Sequence, residues 1–324
     1  MKNLRITALT RATMVSSALA LCAVGTSPAS AAAPQVKTSA PGYFRMMLGD
    51  FEVTALSDGT VDLPVDKLLN EPAAKTQRLL AAAHLAVPLE TSVNAYLVNT
   101  GDKLILIDTG AGALFGPTLG QLVANLKASG YKPEDVDDIC ITHMHPDHVG
   151  GLVANGTTVF PHAVIHADKR DSDFWLSNDN LEHAPADSKD FFKGAMASVN
   201  PYVSAGKYQP FDGRVEIAGG VSGFPSYGHT AGHTSYAIES KGQKLVVVGD
   251  LIHVGAIQFG MPAVTVAFDS DPKSAAKSRA AVFSDAARQG YLIAAAHISF
   301  PGMGRLRMAG KGYEWMPVNY TQIR

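Results

Sequence analysis

"ITHMHPDHVGG", residues 141–151, places His143, His145, Asp147 and His148 directly behind an apolar run. The preceding "DDIC" reads as a buried strand, and in extended chain alternate side chains point to opposite faces. His143 and His145 therefore share one direction while Met144 turns into the core. Pro146 bends the chain, so Asp147 and His148 can face a second point. Imidazole and carboxylate together are the donor set of zinc and related divalent ions, and two such ions about 3.5–4 Å apart form a hydrolytic centre. One short run cannot fill two coordination shells, so this reading demands further ligands downstream.

They are present. "YGHTAGHTS" supplies His229 and His233, "VVVGD" supplies Asp250, "AAAHIS" supplies His297, and upstream "LILIDTG" ends at Asp108. Strands that deliver Asp and His from their ends to a shared point describe a layered α/β protein with its site on loops at one edge. "FEVTALSDGTVDLPV" alternates apolar and polar residues around Asp58-Gly59 and reads as a hairpin; "NAYLVNTGDKLILIDTG" reads as a second, turning at Thr100-Gly101-Asp102. Leu119, Leu122, Val123 and Leu126 have helical spacing, with Pro117 near the start and Gly130 as the stop. A later helix has Asp271 as N-cap, Pro272 as its first residue and Gly290 as its stop, with Ala276, Ala280, Phe283 and Ala287 facing the core.

With 324 residues, 46% hydrophobic and 17% charged, the chain can bury a large core and is not a disordered one. Lys2, Arg5 and Arg11 precede an apolar stretch from Met14 to Val24 and the small-residue run "SPASAAAP", the pattern of a secretory signal peptide over residues 1–33. A single domain over 34–324, periplasmic or secreted, is expected. The apolar stretch is too short to span a bilayer, so no membrane association is expected after cleavage. Loss of the leader's cations makes a net charge of −2 more negative still, which disfavours nucleic-acid partners. Cys140 alone remains of two cysteines, so it is expected as a buried structural thiol.

The HxHxDH pattern at His143, His145, Asp147 and His148 resembles that of the metallo-β-lactamase superfamily. The resemblance implies a four-layer αββα sandwich with a dinuclear metal site at one edge. It also implies that His143, His145 and His229 hold one ion, that Asp147, His148 and His297 hold the other, and that Asp250 bridges them. The ions would be two divalent cations per chain, Zn2+ foremost, with Mn2+, Co2+ or Fe2+ also tolerated by such ligands. Asp108 matches the aspartate that orients a ligand histidine, and His233 a residue just outside the ligand set. Zinc β-lactamases of this fold commonly carry cysteine at the position of Asp250, which lowers the antibiotic-resistance reading. Iron-dependent oxidoreductases share the fold, but the complete His and Asp set favours hydrolysis over them and over a binding protein with a decayed site.

Across the mature chain, "APGYFRMMLGDFEVTALSDGTVDLPVD", "FGPTLGQLVANLKASGY", "FFKGAMASVNP", "AAAHISFPGMG" and "GKGYEWMPVNY" are similar to the methyl parathion hydrolase group. That group comprises secreted dimeric dizinc hydrolases of organophosphate triesters and relatives that open aryl lactones such as dihydrocoumarin, and it implies a homodimer here. Both reactions begin with attack by a metal-bridging hydroxide. By matched position Phe115, Trp175 and Phe191, with Phe192 beside them, form an aromatic wall. Where the triesterases carry Arg, Leu, Thr and Leu, this chain has Leu68, His253, Val266 and Phe268, and its loop around Asp187 and Ser188 is one residue shorter. Phe268 narrows the pocket. His253, three residues beyond Asp250, can hydrogen-bond an ester oxygen or leaving phenolate. Asp250 and His253 are thus the candidate catalytic residues. The expected substrate is a lactone or aryl ester, with weak phosphotriesterase activity; a true triesterase and an acyl-homoserine lactonase are the alternatives.

Overall fold

The computed structural model describes residues 33–320 and 322–323, so the expected leader, apart from its last residue, lies outside the described residues. Two seven-stranded sheets face each other. The first runs in spatial order Tyr43–Leu48, Phe51–Leu63, Leu89–Asn99, Leu104–Ile107, Asp138–Cys140, Val164–Asp168 and Tyr208–Phe211. Its early members are antiparallel and its last four parallel. The second runs Val215–Ala218, Val221–Pro225, Thr234–Ser240, Gln243–Val247, Leu292–Ala294, Met303–Ala309 and Gly312–Pro317. Only Gln243–Val247 and Leu292–Ala294 pair in parallel there.

Strand alternation builds the layers. Val98, Ile105, Ile107 and Cys140 of the first sheet meet Tyr236, Ile238, Leu245 and Val247 of the second in a buried central core. The alternate residues Leu97, Leu104, Leu106 and Ile139 turn outward against Leu122 and Leu126 of helix Leu122–Ala128 and Val199 of helix Lys189–Ser204. On the far side Val246 and Ile293 pack against Val282, Phe283 and Ala286 of helix Pro272–Gln289. Leu104–Ile107 is therefore apolar on both faces, as expected of a strand buried between layers. The result is the expected αββα sandwich. None of the described helices is long and apolar enough to cross a membrane.

Three local expectations are corrected. Phe51–Leu63 is one continuous strand rather than a hairpin, with a bulge between Ser57 and Gly59. Gly59 sits at φ +126°, and a side chain there would strike the Thr118 carbonyl oxygen. The bulge aims the Asp58 carboxylate inward, where it accepts from the N–H groups of Ala111, Gly120 and Leu122 at 2.9, 3.0 and 3.0 Å. Because that carboxylate gathers the loop after Asp108, the helix expected near Pro117 begins only at Leu122. In helix Pro272–Gln289, Asp271 caps Lys273 and Ser274 and Gly290 ends the helix as read, but the buried face is Ala275, Arg279, Val282, Phe283 and Ala286. Ala280 is exposed. Arg279 rotates the face, for it is fully buried and donates to the carbonyls of Leu251, Pro262 and Val264. The second hairpin, Leu89–Asn99 with Leu104–Ile107, is as expected, and Cys140 is buried.

Candidate metal centre

Five strand ends supply the site, His229 coming from the loop after Val221–Pro225. Asp108 follows Leu104–Ile107, the His143 run follows Asp138–Cys140, Asp250 lies just beyond Gln243–Val247, and His297 just beyond Leu292–Ala294. His143 and His145 point into one space while Met144 is buried in the outer core. Pro146 starts the short helix Pro146–Val149, which carries Asp147 and His148 round to the other side. Gly249 allows the turn at Asp250: it has φ +51°, and a Cβ would lie 2.7 Å from His233 Nε2.

Two ligand sets result. His143, His145, His229 and Asp250 bring one donor atom each within 4.8 Å of one another, and so do Asp147, His148 and His297. Asp250 joins them. Its Oδ2 lies 3.3 Å from His229 Nε2 and 3.1 Å from His297 Nε2, and its Oδ1 3.2 Å from His148 Nε2. Nδ1 of His145 lies 3.1 Å from His229 Nε2. Donor atoms around one tetrahedral ion with bonds near 2.0–2.1 Å stand about 3.3 Å apart, so these spacings fit ion-sharing ligands.

The far ring nitrogens are anchored. His148 Nδ1 meets Asp108 Oδ2 at 2.8 Å, His229 Nδ1 meets Asp269 Oδ1 at 2.9 Å, and His297 Nδ1 meets the Ser92 carbonyl at 2.9 Å. Each anchor accepts a hydrogen bond from Nδ1–H and so turns Nε2 inward. Asp108, at φ +60°, is itself fixed by Thr142, whose N–H and Oγ1 both donate to it at 2.8 Å. His233 stands one step back. Its Nδ1 meets Ser226 Oγ at 2.8 Å and its Nε2 accepts the Asp250 N–H at 3.1 Å, which fixes the tautomer and steadies the Asp250 backbone.

Buried His143 Nε2, His148 Nε2 and Asp250 Oδ1 have no hydrogen-bond partner within the protein. Orphaned polar atoms are costly inside a protein unless something else satisfies them, and these three converge on the ligand cluster. A divalent cation suits this donor set. Burial pushes Asp250 up, but the facing His297, His148 and His253 outweigh it and hold the carboxyl well below its ordinary value. Burial lowers His229, yet Asp250 and Asp269 lift it to about 9. Burial and the neighbouring imidazoles keep His143 and His145 well below the ordinary histidine value.

A cavity of about 100 Å³ opens on His145, Asp147, Asp250, His253 and His297. Phe115, Phe191 and Phe268 form its aromatic wall, with Val61, Leu63, Val93 and Leu119 completing it. A neighbouring cavity of about 360 Å³ reaches His145 and His229 from the side of Trp175 and Phe192, with Phe268 between the two spaces. The expected aromatic residues are thus split: Phe115 and Phe191 line the first space, Trp175 and Phe192 the second. Leu68 and Val266 line neither; they pack with Val65, Leu69 and Val254 in a cluster that Phe268 also touches.

Four supporting residues carried no readable sequence signal. Asp171 accepts from Met144 N–H at 2.9 Å, Thr230 Oγ1 at 3.0 Å and Gly232 N–H at 2.6 Å, clasping the two histidine loops together. Asp269 anchors His229, Ser226 anchors His233, and Arg279 holds the segment after Asp250. Asp58 also was read only as a turn residue.

The metallo-beta-lactamase superfamily model matches residues 89–297, which contain every ligand candidate. The chain belongs to this superfamily. The crystal structure of the hydrolase AbOPH in the beta-lactamase superfamily matches with a TM-score of 0.83 and 35% identity, covering 88% of this chain and 100% of that one. AidC, a dizinc quorum-quenching lactonase solved with N-hexanoyl-L-homoserine as product, matches at 0.79 and 28%, covering 87% and 99%. An N-acyl homoserine lactonase of a Bacillus species is 28% identical over 47% of this chain and 60% of its own length. The chain spans 60 to 64% of the length of the first curated relatives it matches. These likenesses support the expected class of metal-dependent hydrolase.

Proposed function

We propose that the protein is a metal-dependent hydrolase that opens lactones and aryl esters of the dihydrocoumarin type, with weak activity on organophosphate triesters. The observation that carries the reading is the small apolar cavity laid directly over two converging ligand sets. His143, His145, His229 and Asp250 would hold one ion, and Asp147, His148, His297 and Asp250 the other. When bound, the ions supply Lewis acidity toward water and toward the ester oxygen. The chain's own part is orientation and exclusion of water. Phe115 and Phe191, edge to face with centroids 6.2 Å apart, form an aromatic corner against which a flat ring can pack, and Phe191 also meets the His145 ring at 5.3 Å. Asp108, Asp269 and the Ser92 carbonyl keep the Nε2 lone pairs aimed as substrate enters.

Volume argues for the lactone. The space directly over the ligands, about 100 Å³, is small beside ordinary ligand pockets of roughly 300–1,000 Å³, and the larger spaces of about 360 and 500 Å³ reach the centre only from its sides, at His145 and His229 and at His253 and His297. A planar carbonyl carbon becomes tetrahedral on attack, whereas phosphorus becomes trigonal bipyramidal and requires more width. Phe268 and His253, both lining this space, take up that width. The acyl-homoserine lactone reading remains the second choice because AidC and the Bacillus enzyme are lactonases of that kind. We place the mature enzyme in the periplasm or outside the cell, as a homodimer, on the strength of the leader-like pattern over residues 1–33 and the family resemblance.

The test is kcat/KM of the metal-loaded protein for dihydrocoumarin, hexanoyl-homoserine lactone and methyl parathion, side by side. The proposal expects dihydrocoumarin to lead. A lead for hexanoyl-homoserine lactone moves the assignment to the second choice, and a lead for methyl parathion sinks the volume argument.

A further inference from the structure

We infer that His253 is an additional, exchangeable ligand of the metal centre, so that Asp250, His253 and His297 form a third ligand set overlapping the other two. The inference rests on the metal-bearing reading above. His253 is 4% exposed, and its Nε2 lies 3.1 Å from Asp250 Oδ2, the same distance as His297 Nε2 from that oxygen. These spacings match the roughly 3.3 Å between donors on one tetrahedral ion. The rings of His253 and His297 are stacked, 5.2 Å between centroids and 20° between planes, so both present Nε2 to the same side. One donor atom from each of Asp250, His253 and His297 falls within 4.8 Å of the others.

The backbone delivers this ring deliberately. The N–H groups of His253 and Val254 both donate to Gln258 Oε1, at 2.8 and 2.9 Å, and Gln258 Nε2 donates on to the Val264 carbonyl at 2.9 Å. Arg279 grips the Leu251 and Val264 carbonyls from below. What His253 lacks is an anchor at its other end: buried Nδ1 has no partner, unlike Nδ1 of His148, His229 and His297. An unanchored imidazole with its inner nitrogen among ligands can join and leave an ion at lower cost than an anchored one. His253 thereby does more than line the cavity: its inner nitrogen is directed at the metal-ligating carboxylate.

Cobalt(II)-loaded wild-type protein and the His253→Leu and His253→Gln variants decide the matter, by X-ray absorption counting of imidazole scatterers and by competition with a chelator. The leucine fills the buried space with apolar volume, and circular dichroism reports folding independently. The expected result is a higher imidazole count in wild type than in either variant, with the more weakly held ion released about 10-fold more readily from both. An equal count and equal affinity in all three overturn the inference while leaving the metal-bearing reading intact. Failure of the wild-type protein to take up metal overturns both.

Discussion

At the scale of single residues, the donor cluster was legible together with Asp108 and His233 beside it, and the remaining supports were not. His143, His145, Asp147 and His148 declare themselves because four donors in so short a run have no better physical explanation than a shared ion. Asp171 is the opposite case. It lies in "DKRDSDFW", which reads as a solvated helix start, and only the fold turns it toward Met144, Thr230 and Gly232. Burial pushes its carboxyl up to about 6, against the pull of those three donors. With the folded value above the ordinary 3.8, the folded state binds the proton better. Its contribution to stability is therefore complete below the ordinary value and lost as pH rises through about 6. Wild type should accordingly lose about 1 kcal/mol relative to Asp171→Asn between pH 5 and 7.5, from urea unfolding of both. A difference between the two that is independent of pH would show that Asp171 does not titrate there.

Elements were read where periodicity and end signals agreed, and misread where a buried polar group overruled them. Helix Pro272–Gln289 was bounded correctly by Asp271, Pro272 and Gly290, yet its core face was rotated by the buried Arg279. Asp58-Gly59 carries a hairpin signal, but three backbone donors waiting for the carboxylate make a bulge the better solution. Arg279 also reaches beyond its own helix, since the carbonyls it satisfies belong to the segment carrying His253. Arg279→Met should cost about 2–4 kcal/mol in urea unfolding by orphaning those carbonyls. It should also lower the metal content of protein dialysed to equilibrium. Unchanged stability would mean that the carbonyls find other partners and that Arg279 does not secure the segment.

For the whole molecule, apolar strand runs ending in Asp or His announced both the layered fold and the edge that bears the site. The αββα sandwich follows because strands such as Leu104–Ile107 are apolar on both faces and must be covered twice. Strand alternation did not reveal how the aromatic residues divide between two cavities; that depends on where Phe268 falls between them. Nor could sequence reading show Leu68 and Val266 packing behind the pocket instead of lining it. Such placements come from long-range packing, which local patterns do not encode. The central claim is that ester hydrolysis here depends on cations held by the two histidine–aspartate sets. The most direct measurement is turnover of dihydrocoumarin after exhaustive chelation and then during stepwise return of zinc, with bound metal counted at each step. The account predicts that activity disappears on chelation and returns as the chain fills toward two ions. Full turnover by a chain that holds no metal would contradict it.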